Sequence, residues 1–124
     1  MNINNRTEGR LIPEDLTFVA LRPEFNQLGR ILNISKGGLC FRYLSIEGKV
    51  GDSIYLDIDI FIGNSGYYLP GLSCKLIYDF EMTKKTTSLA SMKFRLCGLK
   101  FISPGNKQID QLEFYLNSHT QKEE

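Results

Sequence analysis

The sequence predicts a mainly β domain: a small six-stranded antiparallel barrel, closed by one C-terminal α-helix and preceded by a flexible N-terminal arm. Three observations predict it. Over Ser53 to Ile62, Ile54, Leu56, Ile58, Ile60 and Ile62 share one parity, while Ser53, Tyr55, Asp57 and Asp59 take the other. That period of two marks a half-buried antiparallel strand. Glycine-bearing turns punctuate the chain at Lys36-Gly37-Gly38 and Gly63-Asn64-Ser65-Gly66, and these suit hairpins. After Pro104-Gly105-Asn106, Ile109, Leu112, Tyr115 and Leu116 fall on one helical stripe. The 124 residues fit a single domain, with the arm over 1–16, the barrel over 17–102 and the helix over 105–118.

Taken in order, the first 16 residues are polar, with Pro13 among them, and read as an extended or mobile arm. Thr17 to Leu21 is a β-branched and apolar run that stops before Pro23, and reads as the first strand. Leu28 to Ile34 is the second, Leu39 to Tyr43 the third, and the glycine pair between them suits a turn with positive φ. Ser45 to Asp52 reads as a loop, and Ser53 to Ile62 as the fourth strand. Tyr67 to Phe80 is the fifth, and Pro70-Gly71 inside it predicts an edge position or a bulge. Glu81 to Ser91 is a polar connection, Met92 to Ile102 is the last strand, and Asn117 to Glu124 is a polar tail read as frayed.

Composition narrows the function classes. A net charge of +1 gives no electrostatic case for DNA or RNA as the partner. Tyr67-Tyr68 and the strand phenylalanines lack the basic interleaving of a single-strand-binding barrel, and read as packing. Cys40, Cys74 and Cys97 have no metal-ligand spacing, so they read as buried apolar side chains in reduced form. Asp57 and Asp59 read as charges on a wet strand face rather than as an acid–base or metal pair. His119, the one histidine, has no partner in sight for catalysis. No apolar run approaches the roughly 20 residues that cross a bilayer, so the expectation is a cytoplasmic protein without membrane insertion, metal or catalytic residues.

Two short motifs remain. Arg6-Thr7-Glu8-Gly9-Arg10 places two arginines four positions apart, and Asn33-Ile34-Ser35-Lys36-Gly37-Gly38 follows after a gap of 22 residues. Arginine suits phosphate because its planar fork pairs bidentately, and its flat face stacks on a purine. An Asn side chain offers both a donor and an acceptor to a base edge. Glycine lets backbone approach a ligand where a Cβ would clash. Read structurally, the same residues are a solvated terminus and a hairpin turn with polar caps.

In this order and separation the motifs resemble the RxxxR and [D/N]xSxxG signature of the PilZ family, whose typical members are small β-barrels that bind cyclic di-GMP, a bacterial second messenger. The segment Leu28 to Tyr43 resembles that family's strand-turn-strand centre, Arg95 to Ile102 its last core strand, and Gln108 to Leu116 its closing helix. The resemblance implies that Arg6 and Arg10 bind phosphate and stack on guanine. It implies that Asn33 and Ser35 contact a base edge, and that Gly37 and Gly38 shape the turn against the ligand. It further implies a non-catalytic receptor that orders its arm over the dinucleotide and signals to a protein partner. The alternative is a PilZ-like protein–protein adaptor that does not bind the dinucleotide.

Overall fold

The structure, a computed structural model, describes residues 10–22, 27–45, 53–63, 65–82 and 93–122. Six strands close into a barrel: β2 (Thr17–Leu21), β3 (Leu28–Ile34), β4 (Gly38–Ser45), β5 (Tyr55–Ile62), β6 (Tyr68–Glu81) and β7 (Lys93–Phe101). The order is β2-β5-β6-β7-β4-β3, and a further β2–β3 pairing completes the ring. Every pairing is antiparallel. Closure removes the free edges that an open sheet of this size would leave. Inward parities meet in one core that includes Val19, Ile31, Phe41, Ile58, Leu72 and Cys97.

Helix α1 (Asn106–Ser118) packs Leu112, Tyr115 and Leu116 against this core. The hydroxyl of buried Tyr115 donates to Thr17 Oγ1 at 2.9 Å, which satisfies both groups where water cannot reach them. Gln108 Nε2 donates to the carbonyls of Pro70 and Gly71, and so ties the first turn of α1 to β6. Ile109, the first residue of the predicted stripe, stays exposed.

Two short strands lie outside the ring and depart from the sequence reading. Leu11–Pro13 forms β1 inside the segment read as an arm, and Thr120–Lys122 forms β8 inside the tail read as frayed. They pair with each other, and Leu11 also pairs with Ile34 of β3. A ladder is built from backbone groups, so these polar segments can pair without any apolar alternation to announce them. His119, which looked partnerless, sits at this junction. Its Nδ1 lies 3.4 Å from Asp15 Oδ2, its ring stacks on Tyr115 with centroids 5.8 Å apart, and its carbonyl accepts from the Glu14 N–H.

Three bulges shift the register where sequence parity alone would place other residues. Asp59 of β5 faces the two-residue Pro70-Gly71 bulge of β6, where Gly71 has a φ of 65°. The bulge aims the Gly71 N–H at Asp59 Oδ1 at 2.8 Å. Arg22 Nε donates to the same oxygen at 2.8 Å, and the Tyr68 hydroxyl donates to Oδ2 at 2.9 Å. Asp59 is therefore 2% exposed, not on a wet face, whereas Asp57 is exposed as read. Burial alone would raise the Asp59 pKa, but hydrogen bonds from Arg22, Gly71 and Tyr68 outweigh it and hold the carboxyl below its usual range. The other two bulges lie between Ile31 and Asn33 on β3 and between Leu76 and Tyr78 on β6.

Candidate functional site

Those last two bulges act at the same level of the barrel. Without them Leu32 would oppose Cys40, and Ile77 would oppose Gly98. With them Asn33 pairs with Cys40, Cys40 with Gly98, and Gly98 with Tyr78. Bulges re-aim side chains in this way. The result is one row across β3, β4, β7 and β6 on the outer wall, running from an amide to a phenol.

Arg10 stands at the Asn33 end of the row. Pairing of Leu11 with Ile34 brings Arg10 beside Asn33, and Arg10 Nη1 donates to Asn33 Oδ1 at 2.5 Å. The two sequence motifs are thus in contact through one hydrogen bond. Arg6 lies outside the described residues.

Tyr78 stands at the other end. Gly98 leaves room for its ring: a Cβ on Gly98 would lie 2.4 Å from Tyr78 Cε2. The phenol therefore lies across the strand toward Cys40, its neighbour in the row beyond Gly98. Phe80 flanks it, with ring centroids 5.5 Å apart. Burial, then the Cys40 contact, pushes the Tyr78 pKa up to about 12, against the pull of the Arg10 charge. Burial likewise raises the Cys40 thiol. Both are neutral at physiological pH, so the row offers one cation, one amide and one flat aromatic surface.

Ser35, Gly37 and Gly38 form the adjoining turn. Ser35 N–H donates to Gly38 O at 2.8 Å, and Ser35 Oγ accepts from the Gly37 N–H at 3.2 Å. Phe101 N–H donates to Gly37 O at 2.9 Å, which anchors the turn to the end of β7. The positive φ expected of the glycine pair is not found there. Among the described glycines it occurs at Gly66 and Gly71. Gly38 is required for another reason: a Cβ there would lie 2.2 Å from the Leu99 carbonyl oxygen, so β4 and β7 could not approach.

The structure thus brings Arg10 and Asn33 into contact and sets Ser35, Gly37 and Gly38 in the next turn. Sequence reasoning missed Tyr78, Gly98 and Cys40. A glycine inside an otherwise apolar strand was the available signal, since it often marks close approach of another group. A cavity of about 580 Å³ elsewhere, lined by Arg22, Tyr55, Asp57 and Ser73 among others, shares no residue with this row. Among the described residues no three His, Cys, Asp or Glu side chains converge to hold a metal ion. No helix among them is long and apolar enough to cross a membrane.

No protein-family model matches the chain, and no curated protein matches it in sequence. Among solved structures, the PilZ domain of YcgR from Escherichia coli, determined with c-di-GMP, superposes with a TM-score of 0.68. The match covers 94% of this chain and 92% of that one at 14% sequence identity. The chain has the PilZ fold, a closed six-stranded antiparallel barrel with a C-terminal helix.

Proposed function

We propose that the protein is a non-catalytic receptor for cyclic di-GMP, held between Arg6 and Arg10 on one side and the Asn33–Gly38 turn on the other. The observation that carries the reading is the Arg10–Asn33 hydrogen bond, which joins the two motifs at one end of an aromatic-walled row. A likeness in fold to a domain determined with c-di-GMP supports it. In this reading the ligand exchanges partners with the protein. A phosphate takes the Arg10 guanidinium, with bidentate geometry and opposite charge. A guanine edge takes the freed Asn33 amide, whose donor and acceptor both match it. The ring of a guanine lies against Tyr78, where Gly98 keeps the wall flat. Ser35 keeps its turn-capping bond and offers its hydroxyl proton. The arm that closes over the ligand ends at Arg10, because Leu11 is already paired with both β3 and β8, and Ile12 and Pro13 with β8.

A specific observation also favours the adaptor. Arg10 and Asn33 satisfy one another, and Ser35 caps Gly37, so the motif is internally bonded without any ligand. Calorimetric titration with cyclic di-GMP separates the two readings. The receptor predicts micromolar or tighter binding, a free energy near −8 kcal/mol or better, largely lost in an Arg6→Ala/Arg10→Ala variant. No heat and no thermal stabilisation at ~1 mM ligand would overturn the receptor and argue for the adaptor, since ligand at about 100 times its dissociation constant stabilises by ~2.7 kcal/mol.

A further inference from the structure

Further along the same outer wall from the Asn33 turn, β3 and β4 place Arg30 directly opposite Arg42. Like charges facing each other across a ladder are destabilising. Neither guanidinium has a carboxylate partner among the described residues. Arg42 lies over the Phe94 ring at 5.0 Å from its centroid, a cation–π contact that keeps the guanidinium at the wall. Around the pair stand Leu28, Leu44, Phe80 and Phe94, each between 41 and 54% exposed. Two unneutralised arginines ringed by exposed aromatic and aliphatic side chains have the composition of an interface core.

We propose that this face docks a protein partner through a segment that carries carboxylates between apolar side chains. One carboxylate placed between Arg30 and Arg42 turns their repulsion into two charge-assisted pairs, and the apolar neighbours cover Leu28, Leu44, Phe80 and Phe94. Charge complementarity selects this occupant. An anionic lipid surface is read by clusters of about four or more basic side chains, and nucleic acid by an extended basic track, whereas this face presents one facing pair. The proposal stands on the chemistry of this wall and does not require the dinucleotide.

The test is an amide chemical-shift titration of the isotope-labelled full chain with an acetylated, amidated pentapeptide of sequence LEFEL, beside its LKFKL counterpart. The expected result is saturable shifts centred on Arg30, Arg42 and Phe94 with LEFEL, at least about tenfold weaker with LKFKL. An Arg30→Glu/Arg42→Glu variant should reverse that preference, and an Arg30→Gln/Arg42→Gln variant should abolish it while keeping a dispersed spectrum. Shifts confined to another face, equal response to both peptides, or no saturable response to LEFEL would overturn the proposal. So would binding to phosphatidylglycerol vesicles that depends on the two arginines without any response to LEFEL.

Discussion

The carboxylate of Asp79 and the guanidinium of Arg10 use their hydrogen-bonding capacity very differently. Asp79 points into the barrel, its side chain 2% exposed. It accepts from Arg95 Nε at 2.9 Å and from the Tyr43 hydroxyl, which lies 2.8 Å from both of its oxygens. Arg95 Nη2 also donates to the Asp79 carbonyl. Asp59 is served in the same manner by Arg22, Gly71 and Tyr68. Arg10 is not: of the five N–H donors a guanidinium carries, one is engaged among the described residues, on a neutral amide. Fully partnered charge marks groups that hold this barrel together. Sparsely partnered charge beside a flat aromatic wall is what the proposed receptor needs, because its reading requires an exchange of partners there.

Breaking the first kind of cluster should cost the most. Asp79→Ala leaves Arg95 and Tyr43 without their shared acceptor inside the barrel, and should destabilise by about 3–5 kcal/mol, read by urea unfolding. If it costs nothing, the contrast collapses. Gly98→Ala sharpens the comparison from the other side. The new Cβ must displace the Tyr78 ring, with an overpacking cost of about 1–3 kcal/mol and a loss of cyclic di-GMP affinity beyond what the stability change explains. Tyr78→Ala should weaken cyclic di-GMP by about tenfold, on the scale of one stacked base, ~1–3 kcal/mol, while Tyr78→Phe largely preserves binding. Calorimetry checks both.

The smallest effect is a pH dependence. Asp59 has a folded pKa below its unfolded one, so its contribution is complete above the unfolded value, near 3.8. It disappears as pH falls through the lower, folded value. The parent should therefore lose stability on acidification below about pH 4 more steeply than Asp59→Asn does. Parallel curves for the two proteins would contradict the assignment.

Much of this barrel was legible because its strands announce themselves by alternation and its turns by glycine. Thr17–Leu21 and Leu28–Ile34 occur with the predicted bounds, and α1 follows Pro104-Gly105. The bulges were less so. Pro70-Gly71 flagged one, but nothing in Leu32 or Ile77 does, because a bulge is decided by two strands together while parity is read along one. Two errors about side chains follow from that. Asp59 was placed in water by parity and is buried by a bulge. Tyr78 and Gly98 became neighbours only once β6 slipped past Ile77. The pairing of β1 with β8 joins segments at the two ends of the sequence through backbone bonds, which no local pattern encodes. Of the candidate site, the proximity of Arg10 and Asn33 was legible from two motifs, but the aromatic half of the row was not.

The most direct test of the central claim is an intermolecular proton–proton contact. In a complex of the labelled protein with cyclic di-GMP, nuclear Overhauser effects should connect a guanine H8 to the ring protons of Tyr78, with the Asn33 side-chain amide shifting on binding. Contacts instead to Tyr55 at the Arg22 cavity, or none to Tyr78 in a saturated complex, would contradict the claim that the Arg10–Asn33–Tyr78 row is where the ligand lies.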